Sequence, residues 1–299
     1  MKHAYLIMAH DDVWLLKKLL ELLDSSLNDI YLHVDRKFHV NMNEIKNSVK
    51  LSKIYCVPRM DIKWGGVEQV KCELLLLKCS IKNGPYKYYH LLSGHDLPIK
   101  SQEEIHRFFE MSEKNYVAFY RPEMKCDTLF NYKIYHIPLK KYVLIRLSRR
   151  IQYFFKINRI KKSKMKYMKG SQWFSITDDV ARYVIAREKQ ILAMFSYTKC
   201  PDEVFLQTIL YNSPFRDTLI TDYQDIKYRT LESKKTMANM RMIDWPDELG
   251  TAHPRTFVRE DYDALIKCKA LFARKFDSKV DSEIIELIGS KVSDTRNFK

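Results

Sequence analysis

The sequence has little glycine or proline and no long apolar run. Of its 299 residues, 7 are glycine and 9 are proline, and it contains no Gly/Ser-rich or Pro-rich linker and no internal repeat. The absence of linkers favours one compact unit, and a hydrophobic content of 46% is enough to bury a large core. No apolar run approaches the roughly 20 residues that a membrane-spanning helix needs.

Cysteine is also sparse. The six cysteines are scattered and form no C-x-x-C pair, so the sequence signals neither a disulfide framework nor a zinc site. Near the N-terminus, the apolar run Ala4–Ala9 is too short for the core of a signal peptide. We therefore expect a cytoplasmic protein with reduced thiols.

Acidic residues are missing from residues 128–177, which we call the basic segment. It contains 13 lysines and arginines, whereas the whole chain has a net charge of +15. Its apolar residues recur at helical spacing, and they are Val143, Leu144, Leu147, Ile151, Phe154 and Phe155. This pattern is typical of a helix on an anionic membrane surface and equally of a solvated helix packed on the domain. Nucleic-acid binding is a weaker third interpretation, because no nucleic-acid-binding motif accompanies the charge.

Apolar stretches alternate with amphipathic ones over the first 120 residues. Strands are predicted at "AYLIMAH", "DIYLHVD", "KIYCVP", "YKYYHLLSG" and "NYVAFY", with helices between them. This alternation predicts an α/β protein with a mostly parallel sheet. Ligands of such sheets bind beyond the C-terminal ends of the strands, where the sequence has Ala9, His10, Asp35, Arg59 and "SGHDLP". The first half of the chain is therefore predicted to bind a nucleotide.

The familiar motifs for phosphate and metal ions are absent. There is no Walker sequence and no G-x-G-x-x-G, which disfavours a dinucleotide cofactor. The one D-x-D, Asp261-Tyr262-Asp263, is most simply explained as a capped helix start, and we predict no metal site. In "CPDEVFLQTIL", Pro201, Asp202 and Glu203 suit the first turn of a helix, so capping competes with catalysis as the explanation of these acids.

Seven stretches between about residues 4 and 277 resemble glycosyltransferase family 14, the core-2/I-branching N-acetylglucosaminyltransferase and peptide xylosyltransferase family. They are "YLIMAH", "YLHVDRK", "WGGVEQVKCELLLLK", "YHLLSGHDLPIKS", "KGSQWFSITDDVARYV", "CPDEVFLQTIL" and "LFARKFD". The resemblance implies a single-domain GT-A fold over residues 1–277, with a C-terminal helix and tail at 278–299. It also implies metal-independent, inverting transfer of a sugar from a UDP-sugar, without a cofactor.

The same resemblance assigns roles at the reaction centre. It makes Glu203 the catalytic base, since inverting transfer needs one carboxylate to take the proton of the acceptor hydroxyl. We expect a helix N-terminus to keep Glu203 ionised and Asp202 to be structural. Arg255 and Lys275 correspond to the clamp that holds the diphosphate in place of a metal. Arg274 is a possible substitute for either, and an ordinary surface arginine is the alternative interpretation of Arg255.

The remaining site residues are also assigned by resemblance. Nucleotide contacts fall on Ala9, His10, Asp35 and Arg59. Donor-sugar contacts fall on Ser93, Gly94, His95 and Asp96. Trp64 and Trp173 are candidate apolar walls, Trp173 with Gly170 and Ser171 near the acceptor. The acceptor candidates are Trp173 and two residues that no family motif marks, Arg121 and Trp245. Structural alternatives stay open for some of them, since Asp35 also suits a turn cap, and His95, Trp64 and Trp173 also suit the core.

Two departures from the family pattern affect the function. The chain has no N-terminal membrane anchor of the animal type, which favours a cytoplasmic, bacterial-type member. The basic segment is unlike the family's acceptor region, so the acceptor stays open between a surface glycan and a lipid-linked oligosaccharide. The predicted donor is UDP-N-acetylglucosamine or UDP-xylose. The alternative function is a non-catalytic basic protein that binds membrane or nucleic acid, but such a protein has no need of Glu203 beside a diphosphate clamp.

Overall fold

The computed structural model describes residues 1–120, 132–137, 142–220, 223–224, 238–245 and 253–294. Of the predicted site residues, Arg121 lies outside these ranges, as do residues 128–131 and 138–141 of the basic segment. The described elements form a seven-stranded central sheet and a three-stranded sheet.

The central sheet is mostly parallel, as the alternation of strands and helices predicts. Its strands are β1 His3–Ala9, β2 Asn28–Val34, β3 Lys53–Cys56, β4 Tyr88–Ser93, β6 Tyr116–Tyr120, β7 Gly170–Ile176 and β8 Tyr223–Gln224. They lie in the order β3-β2-β1-β4-β7-β6-β8, and β7 alone runs antiparallel to its neighbours. The C-terminal ends of β1, β2 and β4 therefore meet at one edge of the sheet.

Helices cover both faces of this sheet. They are α1 Val13–Leu23, α2 Met42–Lys46, α3 Val67–Ile81, α4 Gln102–Glu110, α5 Tyr142–Phe154, α6 Asp178–Ile185, α7 Glu188–Phe195, α8 Phe205–Tyr211, α9 Tyr262–Lys267 and α10 Ser282–Asp294. Side chains of α1, α4 and α10 share one buried cluster. Side chains of α3, α6, α7 and α8 share the other. The described chain thus has the α/β architecture that the GT-A expectation requires.

Strand β1 shows why the sequences of the central strands are continuous apolar runs. Tyr5 and Ile7 are buried against the α1 face, whereas Ala4 and Leu6 are buried against the α3 face. Because successive side chains of a strand point to opposite faces, a strand covered on both sides has no polar alternation.

The helix starts follow local capping chemistry. The predicted capping box of α4 is present, with Ser101 and Glu104 each accepting a hydrogen bond from the other's backbone N–H. Asp12 caps α1 by accepting from the backbone N–H of Leu15 at 3.0 Å. Asp261 accepts from the backbone N–H of Val258 at 2.9 Å in the 3₁₀ turn before α9, but it makes no capping hydrogen bond to α9 itself. The D-x-D therefore lies at the predicted helix start, and its first aspartate stabilises the preceding turn.

The three-stranded sheet was not predicted from the sequence. It pairs β10 Phe272–Arg274 with β5 Asp96–Pro98 and with β9 Arg241–Ile243. The fully buried Arg241 donates to the carbonyl of Phe174 at 2.6 Å and to the Ser175 hydroxyl oxygen at 2.7 Å. Burial lowers the pKa of this guanidinium to about 9. Arg241 thereby ties the small sheet to β7 of the central one.

The basic segment contains the predicted helix, α5. Its apolar side chains are largely exposed, with Val143 at 72%, Leu147 at 50% and Phe154 at 78%. The helix therefore does not bury this face against the described domain. None of the helices in the described ranges combines the length and the apolar character that a membrane crossing needs.

Candidate active site

A cavity of about 360 Å³ opens at the C-terminal edge of the parallel strands. Most of the predicted nucleotide and donor residues line it, namely Ala9, His10, Asp35, Ser93, His95 and Lys275. Their convergence follows from the topology, because the loops after β1, β2 and β4 leave the sheet at this edge. We call it the donor cavity.

A second cavity of about 90 Å³ contains Glu203. It shares Trp64, Gln172, Trp173 and Arg274 with the donor cavity, so the two form one cleft. Trp245, a predicted acceptor residue, also lines this second cavity. We call it the acceptor cavity, because it holds the predicted base.

Glu203 is paired with a cation that the sequence did not reveal. Its carboxylate oxygen Oε2 lies 2.9 Å from Nζ of Lys169, and 28% of its side chain is exposed. Although burial disfavours the charge on Lys169, the Glu203 carboxylate raises the pKa of this lysine above its ordinary value. Pro201 and the two acids lie at a helix start, as predicted, but that start is a single 3₁₀ turn before α8 and not the first turn of an α-helix. A lysine side chain supplies the local positive charge instead.

Backbone packing decides where Lys169 lies. The carbonyl of Lys169 accepts from the backbone N–H of Tyr120 at 2.8 Å. At Gly170 a Cβ atom would lie 1.7 Å from the carbonyl oxygen of Ala118, so only glycine permits this close approach of β6 and β7. The predicted wall residue Gly170 is thus required by the sheet.

Asp202 lines the acceptor cavity beside Glu203, but its side chain is almost fully buried. It is 6% exposed and accepts a hydrogen bond from the Gln69 amide at 3.1 Å. Burial and the neighbouring Glu203 carboxylate raise the pKa of Asp202 to about 7. The two adjacent acids therefore line one cavity in different environments, and Glu203 is the more exposed of the two.

A third carboxyl group, Glu73 on α3, lies fully buried beneath the cleft. Its Oε1 accepts from the amide of Gln172 at 2.9 Å, and Gln172 lines both cavities. Burial and the Asp202 carboxylate raise the pKa of Glu73 well above its ordinary value. Sequence reasoning missed Glu73, although its place in the apolar run "VKCELLLL" was a usable signal.

Asp35 caps a turn, as its structural interpretation predicts, and it also lies in the wall of the donor cavity. Its two oxygens accept from the backbone N–H groups of Lys37 at 2.8 Å and Ile62 at 2.9 Å, and the residue also lines the donor cavity. Arg59 is not among the residues that line this cavity. Its guanidinium donates to the carbonyls of Asp35 at 2.7 Å and Phe38. The structure thus places Arg59 where it holds the loop that carries Asp35.

Some residues of "SGHDLP" line the donor cavity, and others hold those lining residues in place. Asp96 is fully buried and accepts from the Ser93 hydroxyl at 2.8 Å and from Arg274 at 2.7 Å. Neither Asp96 nor Gly94 lines the donor cavity, whereas Ser93 and His95 do. Asp96 therefore positions Ser93 and Arg274 at the cleft wall.

His95 forms a polar pair with Asp11 at the floor of the cleft. Its Nδ1 donates to the carbonyl of Phe276 at 2.7 Å, and its Nε2 lies 2.5 Å from the Asp11 carboxylate. The hydrogen bond from His95 lowers the pKa of Asp11. His10, Asp11 and His95 offer potential metal ligands within 4.8 Å of one another. Two of these three residues, His95 and Asp11, are in direct contact with each other.

The predicted diphosphate clamp is only partly assembled. Lys275 lines the donor cavity, but Arg255 is not among its lining residues. The Arg255 guanidinium makes two hydrogen bonds to Asp261, at 2.8 and 2.7 Å, and one to Asp244 at 2.8 Å. These bonds to Asp261 and Asp244 raise the pKa of Arg255 and engage its donors.

Arg274, the predicted substitute, lies in the cleft instead. It lines both cavities, contacts the Ser93 hydroxyl and stacks 4.5 Å from the ring centre of Trp173. The structure therefore presents Arg274 and Lys275 as adjacent cations at the donor cavity.

Comparisons with known proteins match most of this chain to one family. The family model described as "Core-2/I-Branching enzyme" matches residues 3–266. Xylosyltransferase 2 of Rattus norvegicus is 25% identical over 314 residues, which cover 95% of this chain and 33% of that protein. Xylosyltransferase 1 of Homo sapiens is 23% identical over 289 residues, which cover 85% and 26% respectively. The chain thus spans about a third of the length of the curated relatives that it matches.

Among solved structures, apo mouse xyloside xylosyltransferase 1 aligns with a TM-score of 0.38 and 8% identity, over 90% of this chain and 96% of that one. Residues 1–349 of S. aureus TarS align with a TM-score of 0.36 and 10% identity, over 71% and 56%.

Proposed function

The chain belongs to the core-2/I-branching enzyme family, and we propose that it is an inverting, metal-independent glycosyltransferase that uses a UDP-sugar. The proposed donor is UDP-N-acetylglucosamine or UDP-xylose, and the acceptor is a hydroxyl of a surface glycan or lipid-linked oligosaccharide precursor. One observation carries the proposal: a single cleft has Glu203 at the acceptor end and Arg274 and Lys275 at the donor end.

The proposed reaction needs one base. The Glu203 carboxylate takes the proton of the acceptor hydroxyl as the oxygen attacks the anomeric carbon and the bond to UDP breaks. Lys169 holds that carboxylate in place before the acceptor arrives. Trp173 and Trp245 form apolar walls on the acceptor side. A glycosidase mechanism would need a second, opposed carboxylate, and the neighbouring Asp202 is buried and bonded to Gln69.

The donor end supplies charge for the leaving group. Arg274 and Lys275 are preorganised cations that would stabilise the negative charge developing on UDP, which is the task of a metal ion in other enzymes. Asp35 keeps free lone pairs after accepting its two backbone bonds, and these suit a ribose hydroxyl or the uracil N–H. These side chains support a reaction without a metal ion.

Turnover of a panel of UDP-sugars tests this function. We expect the purified chain to hydrolyse one UDP-sugar measurably faster than the others and to keep that rate in EDTA. Activity that is lost on chelation and restored by manganese would contradict metal independence. Failure to bind UDP or to turn over any member of the panel would contradict the proposed activity.

The location is proposed from the exposed face of α5. We place the enzyme in the cytoplasm, in peripheral contact with an anionic membrane face. Val143, Leu147 and Phe154 are at least half exposed, and Arg149 and Arg150 lie on the same helix. Apolar insertion combined with cationic attraction is how amphipathic helices bind anionic lipid, with each basic side chain contributing about 1 kcal/mol.

Vesicle sedimentation tests the membrane contact. We expect binding to anionic vesicles that weakens at high salt, because the attraction is screened beyond a Debye length of about 8 Å. A variant with serine at four positions of the basic segment should lose this binding, and the positions are Arg149, Arg150, Lys161 and Lys162. A control variant should retain it after the same charge is removed elsewhere, at Lys46, Lys50, Lys53 and Lys82. Equal binding to neutral vesicles, or equal loss in both variants, would rule out a specific contact.

A further inference from the structure

A third cavity, of about 280 Å³, lies beside the acceptor cavity. Its walls come from residues 63–68, which include the first turn of α3, from residues 135–137, from α5 and from residues 196–199. Trp64 and Gly65 line both this cavity and the acceptor cavity, so a molecule at Glu203 can extend past Trp64 into it. We call it the side cavity.

The side cavity has an excess of positive charge. Lys63, Arg149 and Lys199 line it, and Glu68 is its one acid. The three cations come from three separate segments of the chain. Within the described ranges, none of them forms an ion pair with a carboxylate. Three cations around one space, none of them paired with a carboxylate of the described residues, are suited to an anionic ligand.

Neutral hydrogen-bonding groups add to this charge. Helix α3 begins at the cavity, with Gly66 as its N-cap and no side chain capping it. The positive end of the helix therefore faces the same space. Thr198, another wall residue, is 4% exposed, and its hydroxyl oxygen has no hydrogen-bond partner among the described residues. Ser148 supplies a further hydroxyl.

We propose that the side cavity binds a phosphate group of the acceptor, an assignment that rests on the proposed glycosyltransferase function. A phosphate offers three oxygens in different directions and up to two negative charges, so it can meet cations from three segments at once. A carboxylate is planar and is satisfied by one bidentate partner. The acceptor would then extend from the phosphate, across Trp64, to the hydroxyl beside Glu203.

This arrangement gives the basic segment a role at the reaction centre. Arg149 lines the side cavity, whereas the next residue on α5, Arg150, does not. Both are arginines of the same helix, so changing either one alters the net charge of the chain equally. Arg150 is therefore a matched control for Arg149.

The test measures phosphate binding to the full chain with the donor cavity filled by UDP. The probes are glycerol 3-phosphate, which has no lipid, citronellyl phosphate, which has a short one, and acetate as the carboxylate. Isothermal titration calorimetry compares wild type with Arg149→Gln, Lys199→Gln and the control Arg150→Gln. Thermal unfolding midpoints and UDP affinity are measured first, to show that each variant is folded.

We expect both phosphate probes to bind the wild type and acetate to bind much more weakly. Arg149→Gln and Lys199→Gln should each raise the Kd for glycerol 3-phosphate at least about tenfold, which is the loss expected for one charge-assisted hydrogen bond. The control Arg150→Gln should raise this Kd less than about twofold. Equal affinity in all variants, an equal loss in Arg150→Gln, or acetate binding as tightly as phosphate would overturn the assignment. Binding of citronellyl phosphate alone, unchanged by the variants, would point to a lipid contact and would also overturn it.

The measurements distinguish failure of the proposed function from failure of the side-cavity proposal. If UDP does not bind, the donor assignment falls, and the same phosphate titration without UDP still decides the side cavity. If UDP binds and glycerol 3-phosphate does not, the side-cavity proposal falls and the donor site stands.

Discussion

We expect Glu203→Gln to lower the rate of sugar transfer by about 10²- to 10⁴-fold, the usual contribution of a general base. The amide keeps the shape of the side chain but cannot take the proton of the acceptor hydroxyl. Because Glu203 lies in the acceptor cavity and is not among the residues that line the donor cavity, the Kd for UDP should change less than about twofold. Transfer rates and UDP calorimetry on the same preparation measure the two effects.

Asp202→Asn is the matched control for this result. Asp202 is the neighbouring carboxylate, but it is buried and bonded to Gln69. Its replacement should leave far more of the transfer rate than Glu203→Gln does. A Glu203→Gln enzyme that keeps most of the wild-type rate, or an equal loss in both variants, would refute the assignment of the base.

We expect Lys275→Ala to weaken UDP binding at least about tenfold while uridine binding changes less than about twofold, since an ammonium at the diphosphate contributes about one charge-assisted hydrogen bond. Calorimetry with UDP and with uridine measures the difference. Lys279→Ala, which removes the same charge from an exposed position nearby, should leave both affinities unchanged. Equal weakening of UDP and uridine would show that Lys275 acts on the nucleoside or on the fold and not on the phosphates.

Arg255→Gln tests whether Arg255 belongs to the diphosphate clamp. If the paired geometry of Arg255 with Asp244 and Asp261 defines its role, this variant should lower the thermal unfolding midpoint and change UDP affinity less than Lys275→Ala does. A loss of UDP affinity as large as that of Lys275→Ala would restore Arg255 to the predicted clamp.

The sequence predicted the features that depend on short, local patterns of residues. Strands β1, β2 and β4 appear as apolar runs because both faces of the sheet are covered, and their C-terminal ends meet because the strands are parallel. The capping box of α4 needs only Ser101 and Glu104. Such patterns involve residues that are close together in sequence, so they can be recognised without knowledge of the tertiary structure.

The missed features depend on distant segments. Strands β5, β9 and β10 have three residues each, too few for a periodic pattern. The pair between Lys169 and Glu203 joins residues that are far apart in sequence, and its geometry follows from the close approach at Gly170. Likewise, "HPRTF" gave no sign that Asp244 and Asp261 engage Arg255.

The buried carboxyl groups beneath the cleft couple folding to proton uptake. The pKa of Asp202 is raised to about 7 and that of Glu73 well above its ordinary value, whereas both groups titrate near pH 4 in an unfolded chain. Between these limits the folded chain holds protons that the unfolded chain has released. The free energy of unfolding contributed by these groups therefore falls as pH rises from about 4 through the folded-state values. Alkaline conditions would thus destabilise the fold around the floor of the cleft, because both groups would have to carry charge while buried.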